Sequence, residues 1–247
     1  MSNAFGTGPI SIGPVHLARS AGGGAISPAT DHLVLFDGHS TVTIAKGAEV
    51  LSDPVEIVVG SLEDLSISMY LKGSDVPSTI HGDARQTAYL AQGGDATARI
   101  TLPKVVTEAS RYFITDVLVE TDAGARSIVI LGDSISDGDR STQDKNARWP
   151  DVLASRLRSD PRLSSIAVVN SGISGNRLLN AGPVGPSMMQ RFAHDALDKE
   201  GVRWIVLEAG LNDVGLSDDP SLPGSVVSAK QVIAGMKTLI GRAHEKG

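Results

Sequence analysis

Hydrophobic positions change their rhythm once along this chain, near residue 122. Upstream, short apolar runs alternate with turn residues and no helical period is sustained. The runs predict strands at residues 10–12, 15–18, 33–36, 42–44, 55–59, 65–71, 88–90, 98–102 and 112–119. Breaks such as Gly22-Gly-Gly24, Asp37-Gly38 and Gly93-Gly94 separate them. Leu65, Ile67, Met69 and Leu71 alternate with polar residues, which predicts a strand with one buried face. Many short strands at this spacing predict an antiparallel β-sandwich, jelly-roll-like, over residues 1–122.

The polar turn Thr121-Asp-Ala-Gly-Ala-Arg126 marks the change. Beyond it, strands alternate with helices, the pattern of a parallel sheet built from βαβ units. Ile128, Val129, Ile130 and Leu131 form an unbroken apolar run, as expected of a strand buried on both faces. Further strands are predicted at 166–169 and 204–207. Between the first strand and the one at 166–169, a helix is expected to start at Trp149-Pro150, with Val152, Leu153 and Leu157 on one face and proline suited to its first turn. A second helix is expected over 188–197. A third, over 226–244, carries the stripe Val232, Ile233, Met236, Leu239 and Ile240. The ending Ala243-His-Glu-Lys-Gly247 reads as a helix C-terminus with glycine at the cap. Three parallel strands make a small doubly wound sheet, so the α/β domain at 127–247 is expected to be incomplete at its C-terminus.

Composition narrows the function classes. With 247 residues, the chain is long enough for two modest domains. Hydrophobic residues at 41% and charged residues at 20% are ordinary for a globular protein. A net charge of −6, with scattered Lys and Arg, gives no footprint for nucleic acid. Aromatics at 4% argue against a broad stacking platform for bases or sugars. The absence of cysteine excludes disulfides, thiolate metal sites and a cysteine nucleophile. No apolar run approaches the roughly 20 residues that span a bilayer, and no signal peptide is visible. Compartment and oligomeric state are left open, and secretion stays compatible with an incomplete N-terminus.

The chemistry concentrates at the ends of the three parallel strands. They carry Gly132-Asp-Ser-Ile-Ser-Asp-Gly138, Asn170-Ser-Gly-Ile-Ser-Gly-Asn176 and Glu208-Ala-Gly-Leu-Asn-Asp213. In a parallel sheet these segments converge on one rim, where open α/β sheets place their ligands. Such a set suits acyl transfer. A serine hydroxyl attacks once a base removes its proton, and the tetrahedral intermediate needs donors aimed at its oxyanion. Ser134 supplies the nucleophile and its own N–H, Gly175 an unobstructed backbone N–H, and Asn212 a side-chain amide.

The ordered set Gly-Asp-Ser-Ile, Asn-x-x-x-Ser-Gly-Asn and Gly-x-Asn-Asp resembles the GDSL, or SGNH, family of serine esterases and lipases. The resemblance covers about residues 127–247. It implies a flavodoxin-like three-layer α/β/α fold and hydrolysis of carboxylic esters with no cofactor. Ser134 matches the motif serine, Gly175 the oxyanion glycine and Asn212 the oxyanion asparagine. The run Arg148-Trp-Pro-Asp-Val-Leu153 and the upstream β-region are similar to acylhydrolases that place a β-sandwich before the hydrolase domain. Some of these deacetylate polysaccharides, which suggests small-molecule or carbohydrate-linked acyl esters as substrates by analogy alone. One element departs from the pattern: the family's catalytic histidine sits in an Asp-x-x-His motif near the C-terminus. None of His16, His32, His39, His81, His194 and His244 has an aspartate three residues before it. The general base is therefore expected beyond Gly247.

Other motif residues have plainer readings. Asp133 and Asp213 are expected to brace loops through hydrogen bonds, and Asp137 and Glu208 receive no catalytic role. Gly172 is expected to permit the turn after its strand. Asn176 and Arg177 are candidates for substrate contact. His194 reads as a surface or packing residue, and His81 as a remote alternative base. No metal-ligand spacing and no phosphate-binding P-loop occur. Two alternatives stay open: a non-catalytic glycan-binding protein with an inactive hydrolase domain, and a flavodoxin-like nucleotide or phosphate binder.

Overall fold

A computed structural model describes residues 1–72, 79–121, 124–222 and 224–247. Of the polar turn at the change of rhythm, Asp122 and Ala123 lie outside the described residues. The chain divides into two compact units, Met1–Val119 and Glu120–Gly247.

One long strand organises the first unit. β1 (Ile10–Gly22) pairs antiparallel with β2 (Ala25–Ile26), β3 (His32–Val34), β4 (Val42–Ile44) and β5 (Leu65–Leu71). Runs 10–12 and 15–18, expected as separate strands, are one strand with a register shift between Ile12 and Val15. Gly13-Pro14 lies at that shift, and proline's missing N–H interrupts the ladder without ending the strand. Ile10, Ile12, Val15, Val34, Phe36, Ile44 and Phe113 form the buried core, with Ile67, Met69 and Leu71 packed against it. The other residues of β5 are also half-buried, so the strand lacks the open face that its alternation predicts.

β6 (Ile80–His81), β7 (Ala88–Leu90), β8 (Val106–Glu108) and β9 (Arg111–Tyr112) form two separate ladders, β6 with β9 and β7 with β8. The sandwich expected here asks for two multistranded sheets; the described residues form one. Part of the difference lies at residues 55–59 and 98–102, where the expected strands do not form. Ile57 N–H donates to Val55 O at 2.9 Å, a local turn in place of a ladder bond, and Val58 is 89% exposed. In the other segment Arg99 N–H closes a turn onto Ala96 O, and only Ile100 O reaches a strand, accepting from Ile26 N–H. Short apolar runs without a partner strand stay irregular.

The second unit is mixed α/β. Its central strand, β10 (Arg126–Gly132), lies between β11 (Ile166–Gly172) and β12 (Val202–Leu207), all parallel, with Val129 opposite both Val169 and Ile205. Val129, Ile130 and Leu131 are wholly buried, as the unbroken apolar run implies. Val129 and Leu131 join Leu178, Met188, Phe192, Ala196, Val232 and Leu239 in one core.

The helices are α1 (Ser134–Asp137), α2 (Trp149–Ser159), α3 (Met188–Phe192), α4 (Leu211–Gly215) and α5 (Ala229–Lys246). α2 starts where Trp149-Pro150 predicts, and the Asp151 carboxylate accepts from Arg148 N–H at 3.0 Å. α5 starts behind Ser228, whose side chain accepts from Gln231 N–H. Val232, Met236 and Leu239 face the core, whereas Ile233 and Ile240 of the expected stripe are about half exposed. Gly235 takes a buried position instead, because a Cβ there would meet Leu179 Cδ2 at 2.7 Å.

Candidate active site

The three motif segments are fastened to one another at the C-terminal ends of the parallel strands. β10 ends at Gly132, where a Cβ would sit 2.3 Å from Ser136 Oγ. Glycine is required there by the close approach of α1 to its own strand. Asp133 caps α1: its carboxylate accepts from Ile135 N–H at 3.1 Å. Ser134, half-buried, opens the helix. Among the described residues no carboxylate or imidazole is hydrogen-bonded to its hydroxyl, and its N–H has no partner.

β11 meets this turn edge-on. Ile173 N–H donates to Gly132 O at 3.1 Å, and Asn170 Nδ2 donates to Ser136 O at 2.7 Å. Gly172 is not the turn-former expected: it is the last strand residue, and a Cβ there would lie 2.4 Å from Asp137 N. Space, not dihedral freedom, demands glycine. The Asp137 carboxylate accepts from both the N–H and the hydroxyl of Ser174 at 2.8 Å. Gly175 does need its conformation, with φ of +78°, and its N–H forms no hydrogen bond among the described residues.

Asn212, on α4, joins the two preceding segments. Its amide donates to Asn176 O at 3.0 Å and, more loosely, to Asp133 Oδ2 at 3.3 Å. Asp213 beside it is buried and accepts from Leu178 N–H at 2.6 Å and Leu179 N–H at 3.0 Å. Glu208, at the end of β12, accepts from Asp133 N–H at 3.1 Å and Ser136 Oγ at 3.2 Å.

These carboxylates make the floor of the site acidic. Burial pushes the Asp133 carboxyl up to about 6, and neighbouring Glu208 and Asp213 add to the shift against a lowering bond from Ile135 N–H. A raised carboxyl pKa means that the folded state holds its proton more tightly than the unfolded chain. The associated stability is complete below the ordinary aspartate range and is lost as pH rises through about 6. Asp133→Asn keeps the cap and mimics the protonated form. Its melting temperature relative to wild type is expected to be more favourable at pH 7.5 than at pH 4.5; an equal difference at both would refute the shift.

Residues 130–247 match the family model described as GDSL-like Lipase/Acylhydrolase family. The second unit belongs to the GDSL/SGNH family. Among solved structures, it is similar to the SGNH-hydrolase family esterase AlinE4 at 19% identity, with a TM-score of 0.39 over 51% of this chain and 57% of that one. A variant of an acetyl xylan esterase from Geobacillus stearothermophilus aligns at 25% identity, TM-score 0.38, over 47% of this chain and 54% of that one. LAE5, an α/β hydrolase enzyme from the metagenome of Lake Arreo, Spain, aligns at 22% identity and TM-score 0.40, covering 51% and 58%. The chain thus spans a little over half the length of these proteins. No curated protein sequence matches it.

In this GDSL/SGNH unit Ser134, Gly175 and Asn212 stand on segments that hydrogen-bond to one another. Asn176 and Arg177 do not face outward as substrate contacts would. Asn176 is 0% exposed, its amide donating to Pro186 O at 2.8 Å and its carbonyl accepting from Arg191 Nε at 3.0 Å. Arg177 is buried, and its guanidinium donates to Ala181 O. A polar loop reads as solvent-facing in sequence, but here the chain folds back over it. His194 is exposed and bonded to its neighbour Asp195, as a surface residue would be.

Sequence reasoning missed Arg191. It follows Met188 by three residues and precedes Asp195 by four, so the ion pair lies on the same helical face as Met188, Phe192 and Ala196. A charged pair on an otherwise apolar stripe was the available signal. Among the described residues no cluster of three or more His, Asp or Glu side chains could hold a metal ion, and no helix is long and apolar enough to cross a membrane.

Proposed function

We propose that the second unit hydrolyses carboxylic esters through an acyl intermediate on Ser134. One observation carries this reading: Ser134 and Gly175 each keep an unused backbone N–H on segments that the Asn212 amide joins. The first N–H groups of a helix have no intrahelical partner, and half-buried N–H groups such as these are free to donate to an oxyanion. The Asn212 N–H that donates loosely to Asp133 at 3.3 Å completes the set by exchanging that acceptor for the oxyanion.

The step is ordinary acyl transfer. Ser134 Oγ attacks the ester carbonyl as its proton passes to the histidine base that the family resemblance implies, a group that no described residue beside Ser134 supplies. The carbonyl oxygen becomes an oxyanion facing the three donors. The intermediate collapses with loss of the alcohol, which leaves carrying a proton. Water then releases the acid by the same route in reverse. Exposed Ile135, Val184 and Leu211 adjoin the motif residues and offer apolar contact to an acyl or alcohol group. Small acyl esters, free or carried on a carbohydrate, suit an open rim of this kind.

The test is p-nitrophenyl acetate hydrolysis by the full chain, combined with fluorophosphonate labelling read by mass spectrometry. Turnover together with label on the peptide containing Ser134 is expected. Label elsewhere, or no turnover above buffer, overturns the proposal.

A further inference from the structure

The geometry points to Arg191 as the positioning residue of the oxyanion site, a role that rests on the esterase reading above. Its guanidinium lies in the interior and donates in three directions. Nε gives to Asn176 Oδ1 at 3.0 Å, Nη1 to Ser171 O at 2.7 Å, and Nη2 to Gly132 O at 3.1 Å. Gly132 is the residue before the Asp133-Ser134 pair, Ser171 is the last but one residue of β11, and Asn176 follows Gly175. One side chain therefore fixes the strand end that presents the nucleophile, the neighbouring strand end, and the loop that presents the second donor.

Asn176 passes this order on. Its side-chain carbonyl is held by Arg191 and its amide by Pro186 O, while its backbone carbonyl receives the Asn212 amide. Asn176 is thus held through its side chain and through both of its backbone groups, since its N–H also donates to Ile173 O at 3.0 Å. Displacing Asn176 would misplace the Gly175 donor and the Asn212 donor together.

The local fold is shaped to keep a cation there. After α3 the helix widens into a π turn, Ala193–Leu197, with Asp198 N–H reaching back to Ala193 O. Asp195 on this turn pairs with Arg191 Nη1 at 2.9 Å, and its backbone carbonyl accepts from Ser171 Oγ at 2.8 Å. Burial works against the Arg191 charge, and Asp195 and Asp137 oppose that effect. Arginine's planar fork offers several donors in fixed directions, whereas a lysine ammonium cannot span all three acceptors.

The test uses the full chain with Arg191→Lys and Arg191→Met. In nitrogen-15 NMR spectra, both variants are expected to shift the Gly175 amide and to expose the Asn176 side-chain amide to rapid solvent exchange, with β12 signals unchanged. In p-nitrophenyl acetate hydrolysis kcat should fall by about 10²-fold with KM within about twofold, as misplacement of donors implies, and Arg191→Lys should retain more rate than Arg191→Met. Unchanged Gly175 and Asn176 signals in either variant overturn the assignment, as does a KM effect without a kcat effect. The two readings fail separately: a wild type no faster than Ser134→Ala defeats the esterase, while the NMR result still decides the positioning role. If neither variant folds, the wild type decides. Resolved, slowly exchanging Arg191 guanidinium protons near neutral pH are expected, and a single averaged signal overturns the assignment.

Discussion

Ser134→Ala is expected to reduce p-nitrophenyl acetate hydrolysis by roughly 10⁶-fold in kcat where a proton acceptor serves the hydroxyl, the scale seen when a serine hydrolase loses its nucleophile. What survives is the work of positioned donors and binding alone, about 10³- to 10⁴-fold above water. Asn212→Ala should cost far less, about 10²- to 10³-fold, because Ser134 N–H and Gly175 N–H still face the oxyanion. The contrast matters more than either number. Removing the hydroxyl abolishes the covalent route, whereas removing one donor weakens the stabilisation of a route that persists. Asn212→Ala also loses bonds to Asn176 O and Asp133, so its fold is checked by circular dichroism. Ser134→Ala touches no hydrogen bond of its side chain among the described residues and should melt as the wild type does. Equal rates for wild type and Ser134→Ala, or a greater loss in Asn212→Ala than in Ser134→Ala, would contradict the assigned roles.

How far the sequence revealed this site depended on the kind of interaction involved. The β10 strand, its glycine and the motif serine were legible because an unbroken apolar run followed by Gly-Asp-Ser states burial and then a bend. Expected bracing by Asp133 and Asp213 matches their hydrogen bonds, since a short carboxylate in a tight turn has nearby N–H groups to accept from. Gly172 was misread in its reason: one residue does not reveal that the Asp137 backbone passes 2.4 Å from an absent Cβ. Asn176, Arg177 and Arg191 were opaque because polarity in sequence suggests solvent. Their burial comes from partners distant in the chain, such as Gly132 for Arg191. In the first unit, alternation identified Val42–Ile44, Leu65–Leu71 and Ala88–Leu90 with matching bounds. It failed at 55–59, at 98–102 and, beyond Tyr112, in 112–119, because apolar content cannot say whether a partner strand is present.

Asp213→Ala should be the most damaging single change to the fold of the second unit. The Asp213 carboxylate is the acceptor for two successive N–H groups, those of Leu178 and Leu179, and Leu178 is fully buried. Alanine leaves both donors without an acceptor, at about 1–3 kcal/mol for each, so a loss of about 2–6 kcal/mol is expected. One effect opposes this. The Asp213 charge contributes to the raised pKa of Asp133, so its removal relieves a repulsion. That relief is the smallest of the causes acting on Asp133, behind burial and Glu208, and does not restore an acceptor. The acceptor loss therefore dominates. Leu178 packs with Val129, Leu131 and Met188, so a loosened 178–179 backbone disturbs the core beneath the strand ends as well as the loop. Asp213→Asn should be milder, because its amide oxygen can accept from one of the two N–H groups while its nitrogen cannot. Urea unfolding followed by circular dichroism measures both. Wild type is expected to be most stable, Asp213→Asn intermediate and Asp213→Ala least. A loss below about 0.5 kcal/mol for Asp213→Ala, the ordinary range of surface substitutions, would show that the loop is held by something other than this carboxylate.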